Sequence, residues 1–402
     1  MNPTAASRSY NFKSRLVGLD ILRFAAISVV LCDHSKNFGP AGDLFLKTPG
    51  ILGVVLSTLS GMGWVAVDVF FVLSGFLVSS LFFQEAAQTG TVSPGRFLVR
   101  RGFKIYPAFW LMIAATIGYT WCRGGRLAWI QVFGELFFFQ NYGHAVAWHT
   151  WSLAVEEHFY FVLAGLFWLA RWRTKPGGKV NLQWVPDLCL AVAVACLISR
   201  FIMWLTIMNV TSDNSFWFTD SDFALIDSLF FGMLLSYFWH QAWSDLLKKR
   251  LMLCSVPLAI TGIVLLLPFW TDIIGVQWFR LLGYVMLYLG AGGLLISSLA
   301  LDYYGCPRWV RAVAWLGKYS YSVYLWHLLC GHVVFPWLSV KLDPDNRLGW
   351  SLNALIFFVS TWLVGILLAR LIEFPVIRLR DRWFPAASQK IRQSKHPHRG
   401  AL

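Results

Sequence analysis

Residues 22–38 read LRFAAISVVLCDHSKNF. Most of this is the apolar run of a bilayer-crossing helix, yet Arg23, Asp33, His34 and Lys36 interrupt or edge it. Ionisable groups in such a helix are costly, and they persist where they face a protein interior or a wet cavity and serve a function. Arg23 and His34 are eleven residues apart, close to three helical turns, so both project from one face, about 16 Å apart along the axis. One helix therefore carries a cation toward one end and a titratable imidazole toward the other. The simpler reading is that Asp20 pairs with Arg23 and that His34 is an interior hydrogen-bonder; Asp33 and the groups described below weigh against it.

The chain around this helix has 402 residues, 57% hydrophobic and only 13% charged, with 22 tryptophans. A soluble domain carries about twice that charged fraction. Apolar runs of roughly 20 residues, long enough to cross the hydrocarbon, recur at 16–38, 62–83, 105–121, 152–170, 185–208, 222–240, 251–270, 279–301, 315–336 and 351–372. The expected fold is all-α, a polytopic integral membrane protein with ten transmembrane helices. Residues 1–383 form one membrane domain and 384–402 a basic cytoplasmic tail expected to be disordered. Two apolar pieces, 51–60 and 128–140, are too short to cross alone and suit re-entrant or interfacial segments. The first run is read as a retained helix, because Asp20 and Arg23 interrupt it and no A-x-A-like site follows it.

Placing the N-terminus in the cytoplasm puts 23 Lys and Arg residues on the inner side and six on the outer. That asymmetry supports an even number of crossings with both termini inside. The net charge of +14 is thereby mainly a topology signal, and no nucleic-acid partner is expected. The seven cysteines are scattered with no C-x-x-C pair, so neither a disulfide framework nor a metal site is expected. The sequon Asn209-Val210-Thr211 falls on the outer side and carries no weight.

Two further polar concentrations stand out. In FLVRRGFKIYPAFW (97–110), Arg100, Arg101 and Lys104 lead into a helix, with Pro107 expected in its tolerated first turn. The group serves equally as a positive-inside anchor or as a site for an anionic ligand. In HTWSLAVEEHFYF (149–161), Ser152 and Glu156 resemble a helix-start pattern. Glu156, Glu157 and His158 also bring acid/base-capable groups to about the depth of His34. Weaker signals are Asp68, Ser74 and Gly75 in VDVFFVLSGFLVSS (67–80), Tyr321, Tyr324 and His327 in LGKYSYSVYLWH (316–327), and Glu373 with Pro375 in ARLIEFPVIRL (369–379). Small residues in the first suit close helix packing, and aromatic belts account for tyrosines in the second. The third reads as a helix stop with a Glu373–Arg370 pair. No P-loop, H-E-x-x-H, G-x-S-x-G or dinucleotide fingerprint is present, which leaves acid/base chemistry.

Arg23 with His34, VDVFFVLSGFL, RRGFKIYP, WSLAVEEHFYF, LGKYSYSVYLWH and EFPVIRL, in that order, resemble the membrane acyltransferases of acyltransferase family 3. The motifs run from residue 19 to 379. The resemblance implies about ten transmembrane helices, acyl-CoA as cytoplasmic donor, and transfer of an acyl group, usually acetyl, to a hydroxyl of a cell-surface carbohydrate. It implies His34 as the essential acid/base group of an Arg-x10-His motif. An Arg-x-x-Arg motif maps to Arg101 and position 104, here a lysine, a point charge without the guanidinium fork. A Trp-Ser-Leu-x-x-Glu motif maps to Trp151, Ser152, Leu153 and Glu156. The chain is read as the stand-alone form, without a C-terminal esterase-like domain.

Combined, these readings give His34, Asp33 and Glu156 as catalytic candidates, with a carboxylate orienting the imidazole. Arg23, Arg100, Arg101 and Lys104 are the donor-binding cations, and Trp151, Ser152, Ser74, His327 and Tyr324 the acceptor-side residues. The expected site is a multi-pass protein of the inner membrane, with acyl-CoA as co-substrate, a carbohydrate acceptor and the lipid bilayer as partner. A transporter or flippase for a sugar or lipid-linked glycan is the competing class; its expected internal repeat is not seen in the sequence.

Overall fold

The computed structural model describes residues 16–35, 58–143, 145–208, 222–267, 279–339 and 347–385. Lys36, most of the expected re-entrant piece at 51–60, the sequon and nearly all of the 384–402 tail lie outside them. Among the described residues the protein is all-helical. Its helices are α1 (Val17–Ser35), α2 (Gly63–Thr89), α3 (Pro94–Cys122), α4 (Trp129–Leu136), α5 (Trp151–Trp172), α6 (Val185–Met208), α7 (Asp222–Tyr237) and α8 (Asp245–Leu253). They continue as α9 (Ser255–Leu266), α10 (Tyr284–Ser298), α11 (Ala300–Tyr304), α12 (Arg308–Gly317), α13 (Ser320–Val333), α14 (Phe335–Leu338), α15 (Arg347–Leu368) and α16 (Phe374–Trp383).

Where it is described, each of the ten expected apolar runs is mainly helical, but they are not equal as membrane spans. Six helices among the described residues are long and apolar enough to cross: Gly63–Thr89, Pro94–Cys122, Trp148–Trp172, Val185–Leu205, Leu281–Tyr304 and Leu352–Trp383. The α8–α9 pair, bent by 67°, makes a seventh if it forms one span. The other three fall short for identifiable reasons. Asp20, Arg23 and Asp33 load α1 with charge, and α7 and α13 have only 16 and 14 residues.

Other boundaries differ from the sequence reading. α3 starts at Pro94, eleven residues before the expected span, and Pro94 rather than Pro107 occupies the early helical position. Pro107 lies in the helix interior, where its missing N–H leaves the Phe103 carbonyl without its usual donor. Pro375 does not end the last helix: a π-turn at Ala369–Glu373 leads into α16, which has Pro375 in its first turn. The 128–140 piece contains the eight-residue α4, too short to cross.

Helix α2 carries apolar side chains on every side, and Val67, Phe71, Val72, Phe76, Phe82 and Phe83 are all buried, as expected of a helix enclosed by others. Its main partner is α7, and the two backbones touch through reciprocal glycines. A Cβ on Gly75 would lie 2.0 Å from the Leu229 carbonyl oxygen, and one on Gly232 would lie 2.2 Å from that of Val72. Lipid tails are as apolar as leucine, so close packing of this kind, rather than hydrophobic burial, holds such helices together. Gly317 lets α12 approach α1 in the same way, at the Asp20 carbonyl. The Asp302 carboxylate caps the start of α1, accepting from Val17 N at 2.8 Å and Gly18 N at 2.9 Å. The helix bearing Arg23 and His34 is thus fixed at the end nearer Arg23.

Candidate active site

A cavity of about 510 Å³ opens between α1, α2, α3, α5, α13 and α16. Five cations line it, Arg23, Arg101, Lys104, Lys318 and Arg380, against three carboxylates, Glu156, Glu157 and Glu373. The excess of positive charge suits an anionic ligand, and guanidinium and ammonium groups form strong charge-assisted bonds with phosphate. Arg23 also bonds Asp20 Oδ1 at 2.8 Å, so helix pairing and cavity lining coexist in one side chain. Arg101 stands over the Tyr160 ring, 4.8 Å from its centroid, a cation–π arrangement. Arg100 points elsewhere: it bonds Asp381 at 2.9 Å and the Phe384 carbonyl, tying α3 to α16.

The side of the cavity formed by α2 and α5 carries a hydroxyl–carboxylate network. Glu156 accepts from Tyr160 and, at 3.2 Å, from Ser74, whose Oγ lies 2.7 Å from the Tyr160 hydroxyl. Tyr106 donates to Glu157 at 3.0 Å. Ser152 does not act as a helix cap. α5 begins at Trp151 after an uncapped Thr150, and Ser152 Oγ lies 2.6 Å from Tyr324 Oη. Tyr324 donates its single proton to the His149 carbonyl at 2.6 Å, so the Ser152 hydroxyl donates to Tyr324. Glu373 accepts from Ser322 at 2.8 Å, and Arg370 stands over Trp315.

Tyr324 joins this cavity to a group of three imidazoles. His34 Nδ1 lies 2.6 Å from His327 Nε2, and His327 Nδ1 lies 2.5 Å from the Tyr324 carbonyl oxygen. His149 sits edge-on to His327, 5.0 Å between centroids, with Nε2 3.2 Å from the Leu325 carbonyl. Asp33 Oδ2 is 3.9 Å from His34 Nε2. Trp148, more than half exposed, meets the His34 ring edge-on at 5.0 Å. Trp151 packs into the core against Phe71, 6.0 Å between centroids. Among the described residues, no group of three or more His, Cys, Asp or Glu is arranged to hold a metal ion.

The segment bearing Trp148 and His149 is pinned by Glu135 of α4. Its buried carboxylate accepts from Thr150 Oγ1, from Val146 N at 2.9 Å and from Ala147 N at 3.4 Å. Burial pushes the Glu135 pKa above its usual value, against the lowering effect of these bonds.

The structure thus brings His34, Asp33, His327 and, through Tyr324, Ser152 into one connected group. It places Glu156, Ser74, Arg23, Arg101 and Lys104 on the cavity. The bonds of Glu156 run to Ser74 and Tyr160, while His34 bonds His327. Sequence reasoning passed over Tyr160, Trp148, Glu135, Lys318 and Arg380. Tyr160 is four residues from Glu156 on the same helix face, a detectable signal. Lys318 and Arg380 look in sequence like ordinary boundary cations.

The acyltransferase-domain family model, Acyl_transf_3, matches residues 16–370. Peptidoglycan O-acetyltransferase OatA of Listeria monocytogenes serovar 1/2a is 26% identical over 372 residues, covering 85% of this chain and 56% of the relative. O-acetyltransferase OatA of Staphylococcus aureus strain NCTC 8325 is 25% identical over 322 residues, covering 73% of this chain and 51% of the relative. The chain spans about half the length of these curated relatives. No solved structure matches. With the family's domain covering most of a helical, membrane-type chain, the protein belongs to the acyltransferase 3 family.

Proposed function

We propose that the protein is a membrane O-acyltransferase that moves an acyl group, acetyl in the first instance, from cytoplasmic acyl-CoA to a hydroxyl of a cell-surface or periplasmic carbohydrate. The observation that carries this reading is the cavity lined by Arg23, Arg101, Lys104, Lys318 and Arg380 and joined through Ser152 and Tyr324 to His34. Phosphates of the donor suit the cations, and the thioester then approaches His34 past the Ser152–Tyr324 pair. His34 takes the proton of the acceptor hydroxyl as that oxygen attacks the thioester carbonyl. The C–S bond breaks, the thiolate leaves, and the proton returns from the imidazole to sulfur. Asp33 stabilises the imidazolium formed on the way. The peptidoglycan named for the Listeria relative makes a cell-wall glycan the first acceptor to try.

This reading takes the ten helical runs as ten crossings of the inner membrane with both termini cytoplasmic, which puts the Arg23 end of α1 on the donor side. The test is acyl-CoA turnover by purified protein in nanodiscs, read as free thiol with a cell-envelope glycan extract, wild type beside His34→Ala. Thiol release that depends on both the extract and His34, with acylated glycan in the mass spectrum, is the expected result. Wild-type turnover by a folded His34→Ala protein removes the acid/base assignment. Absence of both turnover and CoA binding removes the reading.

A further inference from the structure

The hydrogen-bond chain at His34 fixes where its proton lies. His327 is fully buried, and both of its ring nitrogens have partners. Nδ1 is 2.5 Å from the Tyr324 carbonyl oxygen, which can only accept, so Nδ1 carries a hydrogen. A second hydrogen on Nε2 would make His327 a buried cation. The rings flanking it belong to Tyr324, His149 and His34, and a buried charge without a counter-charge is expensive. Neutral His327 therefore presents a lone pair at Nε2, and His34, 2.6 Å away, donates to it from Nδ1. The two rings are parallel within 8° with centroids 4.8 Å apart. At so short an N–N distance this is an edge-to-edge bond, not a face-to-face stack.

We infer that His327 is the positioning residue of His34: it orients the imidazole and holds it in the tautomer whose Nδ1 is protonated and whose Nε2 is the base. This rests on the acyl-transfer reading above for its functional meaning, but not for its chemistry. Isolated histidine prefers the opposite tautomer, with hydrogen on Nε2, which would turn an N–H rather than a lone pair toward Asp33 and the acceptor. Which nitrogen of a histidine is protonated follows from the bond made by the other. Here that bond is supplied by a second histidine, itself anchored to a backbone carbonyl three residues earlier in its own helix. A proton taken at Nε2 then lies on the edge facing Asp33 Oδ2, 3.9 Å away, where the carboxylate favours the charged form.

The test combines nitrogen NMR of isotope-labelled histidines in the full-length protein in nanodiscs with the kinetics of two variants. The His34 signals are identified by their loss in His34→Gln. Wild type is expected to show His34 protonated at Nδ1 and bare at Nε2, and His327→Leu to revert to Nε2–H. His327→Gln keeps an acceptor oxygen and is expected to stay within about tenfold of wild-type kcat. His327→Leu is expected to lose about 10²–10⁴ in kcat, the usual worth of acid/base catalysis, with the KM for acyl-CoA within about twofold. A wild-type spectrum showing His34 protonated at Nε2 overturns the inference, as does equal loss in the Gln and Leu variants. The wild-type spectrum decides even if His327→Leu fails to fold. If the spectrum is as expected but no acyl transfer is found, the functional reading fails and the positioning stands.

Discussion

Ser152 Oγ and Tyr324 Oη lie 2.6 Å apart on the cavity wall, and Tyr324 bonds His149 through its hydroxyl and His327 through its carbonyl. One tyrosine thus connects the cavity to the histidine group through two different atoms. Tyr324→Phe removes the hydroxyl from both Ser152 and the buried His149 carbonyl, and an unsatisfied buried group costs about 1–3 kcal/mol. Ser152→Ala leaves the Tyr324–His149 bond in place and is expected to cost about 1 kcal/mol or less. Unfolding of the purified variants in nanodiscs gives the order. A larger loss for Ser152→Ala would mean that the serine has a structural role beyond its bond to Tyr324.

Arg100 and Arg101 are sequence neighbours with different duties. Arg101 lines the cavity, whereas Arg100 holds Asp381 and the Phe384 carbonyl. A charge-assisted bond to a phosphate is worth about 1.5–3 kcal/mol, so Arg101→Ala is expected to raise the KM for acyl-CoA about tenfold or more. Arg100→Ala is expected to leave that KM within about twofold and to loosen the α3–α16 contact instead. Donor titrations on both variants check the split, and equal effects on KM would remove the distinction.

Much of this site was legible because its residues sit in compact motifs. The Arg23–His34 spacing needed only helical geometry, and the cations at 101 and 104 were visible as a cluster. The partner of His34 was not, since His327 lies 293 residues away and its approach depends on how α13 packs against α1. The same limit hid Arg200 and Asp227, a buried ion pair at 2.7 Å between α6 and α7. Each looks in sequence like an isolated charge in an apolar run. Hydropathy located ten apolar runs that are helical where described, but it missed short helices such as α11, α14 and α16 and set some boundaries wrongly, because α3 continues in helical form beyond its apolar part and α8–α9 bend where the apolar run begins.

Glu135 offers a pH test outside the membrane spans. Its raised pKa means that the folded protein holds this proton more tightly than the unfolded chain. Its contribution to stability is therefore present at and below the ordinary value of 4.5 and falls as pH rises through the raised value, levelling off above it. Glu135→Gln keeps an acceptor for Val146 and Ala147 and cannot ionise. It is expected to remove that part of the decline, read as the difference between wild-type and variant unfolding midpoints across pH. Parallel curves for the two proteins would refute the assignment.

Trp148 presents an exposed aromatic ring edge-on to His34 at 5.0 Å. An amphipathic ring at the mouth of a site is suited to the apolar face of a sugar. Trp148→Ala is expected to raise the acceptor KM about tenfold, on the order of 1.4 kcal/mol, while the KM for acyl-CoA stays unchanged and Trp148→Phe recovers most of the loss. A change confined to the donor KM would place Trp148 outside the acceptor path.

The number of crossings can be read from three cysteines. Cys122 and Cys254 are exposed and Cys306 is half-exposed. Between Cys122 and Cys254 lie α5, α6 and α7, three crossings in the proposed topology, so these thiols face opposite sides. Between Cys254, which sits at the bend of the α8–α9 pair, and Cys306 lie α9 and α10, two crossings if the chain passes through the bilayer after the 67° bend. In single-cysteine variants, a membrane-impermeant maleimide applied to intact cells is expected to label Cys122 alone. Cys254 and Cys306 should react only after permeabilisation. Labelling of Cys306 from outside, with Cys254 still protected, would place the two on opposite sides, so that α8–α9 re-enters without crossing. The C-terminus would then lie outside, and the positive charges of the last loops would face the wrong way for the charge bias that orients membrane proteins.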